Sequence, residues 1–259
     1  MNPATKAAIA AATLGAAALT SAAATPPAPS TPQPTVVLVH GAFADGSTWN
    51  KVIPLLQAKG LKVVAVQNPL TSLADDVTAT RRAIQQASGP VVLVGHSWGG
   101  VVITQAGQTD KVKALVYVAA FAPSEGQSVT DLSKGYPTPS GFSHIVADQD
   151  GFLTLTAEGV AKHLAQDVAA EQTSLMAAIQ GPVRGLNFDE KVSVAAWKGR
   201  RAWYVVSEQD HMIQPELQRA MAKAIQANVT SLPAGHAPQL SRPAEVAEVI
   251  LQAADAAAR

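Results

Sequence analysis

Cysteine is missing from all 259 residues, which excludes disulfides, thiolate nucleophiles and cysteine-type metal sites while leaving the redox compartment open. Charge is equally spare. Nineteen basic and nineteen acidic residues cancel to a formal net charge of zero, and the basic ones form no cluster. Such a chain has no patch that would attract a phosphate backbone or an anionic membrane, so nucleic acid is not expected as a partner. There is no H-E-x-x-H pair or comparable ligand cluster, and neither a catalytic metal nor any other cofactor is expected. What the chain does have is length and apolar content, at 47% hydrophobic residues. That is enough to build one large α/β domain with accessories.

The run Val91-Val92-Leu93-Val94-Gly95-His96-Ser97-Trp98-Gly99-Gly100 is an apolar strand that breaks at a glycine-flanked serine and resumes as an apolar helix. A G-x-S-x-G junction forces the serine into a strained backbone state and lifts its Oγ above the sheet edge, and Gly95 and Gly99 leave room for that turn. Ser97 is therefore the candidate nucleophile. Haloalkane dehalogenase and epoxide hydrolase chemistry would need a carboxylate at this position, which serine does not supply.

Upstream, Thr35-Val36-Val37-Leu38-Val39 reads as a buried strand running into His40-Gly41-Ala42-Phe43. A strand-to-loop His-Gly segment can lend a backbone N–H to a developing oxyanion. Ala42 is the candidate donor from this loop, and Trp98, directly after the serine, supplies the second N–H. The Trp98 side chain has two readings: it closes the acyl pocket, or it packs sideways under whatever covers the site.

In a fold built around such a strand-to-helix serine elbow, a base and an orienting acid must follow the nucleophile in the order Ser, Asp/Glu, His. Trp203-Tyr204-Val205-Val206 is a strand giving way to Ser207-Glu208-Gln209-Asp210-His211, and Val229-Thr230-Ser231-Leu232 is the next, opening into Pro233-Ala234-Gly235-His236. Asp210 and His236 thus occupy corresponding loops at the sheet edge that carries Ser97, where parallel sheets bind ligands. Glu208 is the alternative acid, and His211, beside Asp210, is a possible rim contact. His144 and His163 read as surface or cap residues, and Asp148, Asp150 and Asp189 as solvated.

From residue 35 the chain alternates strands and helices, with helices expected over 49–58, 72–87 and 243–256 and further strands over 63–66 and 114–119. This pattern predicts a mostly parallel, doubly wound sheet. In the helix over 72–87, Asp75 and Asp76 fall in the first turn, where they favour the positive end of the dipole. Between 123 and about 200 the periodicity weakens into turn-rich and helical pieces, including 156–170 and 170–179. A structureless loop of that length would be unusual, so this stretch is expected to form a small, mainly helical cap over the site. Phe43, Phe121, Phe142, Phe152, Met176 and Trp197 are the candidate pocket-lining residues, with Leu153 and Leu155 beside them.

The segments LVHGAFADGSTW, LADDVTATRRAI, VVLVGHSWGG, ALVYVAAFAP, WYVVSEQDHMIQPELQRAMAKAI and LPAGHAPQLSRPAEVAEVI together resemble the bacterial α/β-hydrolases related to plant methylesterases and hydroxynitrile lyases. The likeness runs from about Val36 to Ala253. It implies an α/β-hydrolase fold over residues 35–259, with the cap inserted at about 123–200. It also implies Ser97 as nucleophile, His236 as base, Asp210 as its orienter, and Ala42 and Trp98 as the oxyanion N–H pair. The hydroxynitrile lyases of this group carry a lysine after the catalytic histidine and a threonine in the oxyanion loop, where this chain has Ala237 and Gly41. Cyanohydrin cleavage is therefore disfavoured.

The expected function is that of a serine esterase, cleaving a small or medium neutral carboxylic ester through an acyl-enzyme. Two alternatives stay open: cofactor-free haloperoxidase or perhydrolase activity, in which peroxide replaces water, and a non-catalytic module that binds a small ligand on the same scaffold. The partner in every case is a small molecule, and the oligomeric state is not readable.

The first 24 residues read as a signal peptide, with Lys6 as the basic flank, an alanine-dominated apolar run over 7–19 and small residues before a cleavage point. Residues 25–34 form a proline-rich spacer. Alanine is too small for a strongly lipid-preferring helix, so a removed signal is favoured over stable membrane insertion. The expected location is periplasmic or extracellular, the alternative being a cytoplasmic protein with an alanine-rich head. Export predicts that mass spectrometry of protein from the native host finds an N-terminus between Ala22 and Pro26. A chain that begins at Met1 or Asn2 in the cytoplasmic fraction would contradict it.

Overall fold

Thr35–Val39 and Val91–His96 are buried at every position, a pattern that only a strand covered on both faces tolerates. A computed structural model describes residues 33–258. The expected signal segment and all of the spacer except Gln33 and Pro34 lie outside the described residues. In chain order the elements are β1 (Thr35–Val39), α1 (Ile53–Gln57), β2 (Lys62–Val66), α2 (Leu73–Gln86), β3 (Val91–His96), α3 (Gly99–Ala106) and β4 (Val112–Val118). The cap follows, with α4 (Val129–Ser133), β5 (Ile145–Ala147), β6 (Phe152–Leu155), α5 (Ala157–Gly159), α6 (Ala170–Ile179) and β7 (Val183–Arg184). The chain then returns through β8 (Arg201–Ser207), α7 (Pro215–Ala224), β9 (Asn228–Leu232), α8 (Pro238–Ser241) and α9 (Pro243–Ala257).

The central sheet has the order β2-β1-β3-β4-β8-β9, and all neighbours are parallel. Because side chains alternate along a strand, the inner strands of the sheet feed two cores. Val37, Val39, Leu93, Leu115, Tyr117, Tyr204 and Val206 pack with residues of α2, α3 and α7 on one face. Val36, Leu38, Val92, Val94, Val116, Trp203 and Val205 pack with α1 and α9 on the other. The chain moves from β1 to β2 in one direction and from β3 to β9 in the other. That reversal leaves a crevice at the carboxyl ends of β1 and β3, the place where open α/β sheets bind ligands.

Local differences from the sequence reading have identifiable causes. The helix expected over 49–58 is split into a 3₁₀ turn, Gly46–Trp49, and α1. The helix expected over 156–170 stops after a π turn at Leu164. The next residues bond outward instead: Gln166 Nε2 donates to the Gln209 carbonyl at 2.6 Å, and Asp167 Oδ2 accepts the Gly235 N–H at 2.8 Å. The helix is interrupted where the cap grips the loops that carry Asp210 and His236. The cap is mainly helical as expected, but it also contains a three-stranded antiparallel sheet of β5, β6 and β7. Its strands are two to four residues long, too short to show a period in sequence.

Leu93 is fully buried between Val37 and Leu115 in the sheet register, whereas Val229 on edge strand β9 is 52% exposed. Urea unfolding should therefore show Leu93→Ala losing about 2–5 kcal/mol and Val229→Ala staying within about 0.5 kcal/mol of the parent chain. Equal effects would contradict this placement of the core.

Candidate active site

Ser97 follows β3 directly and has φ 53°, the left-handed region that a side chain other than glycine's enters only under constraint. The surroundings supply that constraint. A Cβ on Gly95 would stand 2.5 Å from the Gly99 carbonyl oxygen, and one on Gly99 would stand 2.5 Å from the Val39 carbonyl oxygen. The Ser97 N–H donates to Val118 at 3.3 Å, and its carbonyl accepts the N–H groups of Gly100 and Phe121 at 3.0 and 3.2 Å. Strand ends on both sides thus hold the turn.

The His-Gly loop after β1 closes against this elbow. A Cβ on Gly41 would lie 2.7 Å from Ser97 Cβ, so only glycine allows the approach. His40 fixes the loop from behind: its Nδ1–H donates to Gly41 O at 2.8 Å and its Nε2 accepts the Asn68 N–H at 2.9 Å. Burial holds this imidazole below its ordinary pKa, consistent with a neutral ring that both donates and accepts. Among the described residues, the backbone N–H groups of Ala42 and Trp98 donate to no backbone carbonyl outside helices and strands.

Asp210 and His236, from the loops after β8 and β9, come together at Oδ2–Nδ1 2.7 Å with both side chains buried. The carboxylate is held from every side. Its Oδ1 accepts the N–H groups of Met212 and Ile213 at 2.7 and 2.9 Å, and its Oδ2 also accepts from Gln218 Nε2 at 2.7 Å. Gln218 Oε1 in turn accepts the Ser207 N–H at 3.0 Å. His96 Nε2–H donates to the His236 carbonyl at 2.8 Å, and the two rings lie 4.8 Å apart. Burial drives the His96 pKa well below the ordinary histidine value, which keeps this support neutral. Glu208, the alternative acid, instead pairs with Arg219 at the surface. His211 is exposed and packs against His163, which packs against His144.

Ser97 and His236 line one cavity of about 430 Å³ with Ala42, Phe43, Phe121, Val129, Phe142, Ile145, Leu153, Phe188, Met212 and Ile213. Thr130, Ser133 and Lys134 complete its wall. Three of the expected lining residues, Phe43, Phe121 and Phe142, are therefore found there, and three are not. Phe152 falls on the opposite side of β6 from Leu153, which takes the lining position, as strand alternation requires. Met176 borders a separate small groove beyond Phe43. Trp197 is held away by its indole N–H, which donates to the Pro123 carbonyl at 2.9 Å. The Trp98 side chain packs sideways under the cap, fully buried and edge-on to Phe188 at 5.6 Å. Among the described residues, no group of three His, Cys, Asp or Glu could hold a metal ion, and no helix is long and apolar enough to cross a membrane.

Gln218 and Phe188 were not singled out in sequence. Gln218 carried a signal nonetheless, because it is a polar residue beside Leu217 and Met221 on the buried stripe of α7. Gln218→Leu orphans the Ser207 N–H and should cost about 1–3 kcal/mol from that group alone. Gln218→Glu sets a second carboxyl group against Asp210, so its destabilisation should grow as pH rises and the introduced group ionises. Thermal unfolding at pH 5 and pH 8 checks both, and wild-type behaviour of the two variants would contradict the assigned contacts.

Residues 36–249 match the sequence profile of the alpha/beta hydrolase family. The chain is 29% identical over 249 residues to a protein named probable hydrolase R7 from a Phoma species, covering 85% of this chain and 98% of that one. It is 27% identical over 245 residues to methylesterase 8 of Arabidopsis thaliana, covering 85% and 89%. The crystal structure of a pyrethroid hydrolase from Sphingobium faniae superposes with a TM-score of 0.75 at 25% identity, covering 86% of this chain and 97% of that one. With the strand order, the serine elbow and a matching profile over most of its length, this chain belongs to the alpha/beta hydrolase family.

Proposed function

We propose that this chain is a serine-dependent esterase that cleaves small or medium neutral carboxylic esters through an acyl-enzyme. The observation that carries the reading is the buried Asp210–His236 pair, 2.7 Å apart, of which His236 lines the cavity that also holds Ser97. With Nδ1–H donated to Asp210, the His236 Nε2 lone pair is the acceptor for the Ser97 Oγ proton. Oγ then forms a bond to the ester carbonyl carbon, and the carbonyl π electrons move onto oxygen. The Ala42 and Trp98 N–H groups are assigned to that oxyanion, where preorganised donors are worth more than in water. Collapse expels the alcohol, which takes the proton from His236. Water, deprotonated by the same imidazole, repeats the sequence and releases the acid.

The cavity supports an apolar substrate. Phe43, Phe121, Phe142 and Phe188 offer aromatic surface, and Leu153, Ile145 and Met212 offer aliphatic surface. An acyl or alcohol part bearing an aryl group fits this wall, since aromatic pairs gain about 0.5–1.5 kcal/mol beyond area burial. Similarity to a methylesterase and to a pyrethroid hydrolase supports an ester as the bond cleaved. Ala237, buried beside the base, brings no cation to stabilise cyanide.

Hydrolysis of short p-nitrophenyl esters, with a wider ester and lactone screen for the natural group, tests the proposal. Ser97→Ala should lose about 10⁴–10⁶-fold in kcat. Asp210→Asn should lose roughly 10²–10⁴-fold while Glu208→Gln stays near wild type. Full activity of Ser97→Ala would end the proposal, and a larger loss in Glu208→Gln than in Asp210→Asn would move the acid.

A further inference from the structure

Asp76, in the first turn of α2, is fully buried, although an acidic residue there has no need to leave solvent to meet the helix dipole. Asp75, one position earlier, stays exposed and engages Ser72 and Thr71. The two oxygens of Asp76 face two different parts of the molecule. Oδ2 accepts the Trp98 indole N–H at 2.8 Å, and Oδ1 accepts the Leu70 N–H at 2.7 Å.

Both partners sit at constrained points. Trp98 follows Ser97 and begins the turn into α3. Leu70 has φ 60°, a left-handed conformation that its surroundings must enforce. The Leu70 carbonyl accepts the Arg184 N–H at 2.9 Å and the Asn187 amide at 3.0 Å, both from the cap. Phe188, next to Asn187, packs edge-on against Trp98 and lines the cavity. The path from Trp98 through Asp76, Leu70, Asn187 and Phe188 back to Trp98 is a closed ring of contacts between elbow and cap.

We propose that Asp76 is a positioning residue that locks the serine elbow to the cap, fixing Trp98 through its indole and seating the cap through Leu70. This rests on reading Ser97 as the nucleophile. A carboxylate suits the position because each of its oxygens accepts, whereas an amide offers one acceptor and turns an N–H₂ toward the other donor. Burial pushes the Asp76 pKa up to about 6 against the lowering effect of its bonds to Trp98 and Leu70, and the charges of Asp75 and Glu190 raise it further. The ionised form is the one that accepts from both partners, so the lock is complete above about pH 6 and half made below it. Stability runs the other way. A carboxyl with a raised pKa in the folded state binds its proton more tightly there than when unfolded, so its contribution to stability falls as pH rises from about 4 to about 6.

The test combines kinetics on a p-nitrophenyl ester with tryptophan fluorescence against pH. Asp76→Asn and Trp98→Phe should each lower kcat by about 10–100-fold, as expected for a displaced nucleophile. The double variant should be no worse than either single one, because both changes cut the same link. Fluorescence should titrate near pH 6 in wild type and in Ser97→Ala, and the step should vanish in Asp76→Asn and in Trp98→Phe. Multiplying losses in the double variant, unchanged kcat in Asp76→Asn, or a step that survives that change would overturn the proposal. If Asp76→Asn does not fold, the kcat loss in Trp98→Phe and the wild-type fluorescence step near pH 6 carry the test, and the absence of either overturns the proposal. The Ser97→Ala titration separates the two readings, since failure of the serine mechanism appears as turnover in that variant and leaves its fluorescence step intact.

Discussion

The left-handed backbone at Ser97 is the constraint on which the rest of the site depends. A non-glycine residue at φ 53° stores about 1–3 kcal/mol of strain, and it persists only because β3, β4 and the loop after β1 leave the turn no other course. The close approaches of Gly95 and Gly99 to neighbouring backbone allow no looser turn. Once the serine is lifted above the sheet, the His-Gly loop can touch it only through Gly41, and the ends of β8 and β9 deliver their side chains to the same edge. A parallel sheet makes this possible because all its carboxyl ends lie on one side.

Two buried carboxyl groups support that arrangement by different means. Asp210 is surrounded by N–H donors from Met212, Ile213, Gln218 and His236, so its environment compensates a charge removed from water. Asp76 has the Trp98 and Leu70 N–H groups and the acidic neighbours Asp75 and Glu190, and burial dominates. One carboxyl sits in a site built for an anion. The other sits where position outweighs solvation, which is the expected pattern when local stability is given up for function.

The strands of the sheet were legible because uninterrupted runs such as Val36-Val37-Leu38-Val39 and Val91-Val92-Leu93-Val94 admit few other fates, and the glycines around Ser97 announced the turn. Asp210 and His236 were legible from chain order and from their places just past strands. The cap was legible in its helical character but not in detail. Its strands are too short for a period, and residues such as Phe152 and Leu153 differ in role only by the face they occupy. Trp98 shows the same limit, since no local pattern tells an indole to turn toward a carboxylate 22 residues earlier. Gln218 and Asp76 share a subtler mark: each is a polar residue on the buried, mostly apolar face of its helix.

Reaction with a p-nitrophenyl carbamate, whose carbamoyl-enzyme is slow to hydrolyse, followed by proteolysis and mass spectrometry, tests the central claim most directly. One carbamoyl group per chain is expected, on the peptide that contains Ser97, with release of an equivalent of p-nitrophenol and simultaneous loss of esterase activity. Inactivation with the carbamoyl group on another residue, or ester turnover by a chain that acquires no such group, would contradict an acyl-enzyme at Ser97.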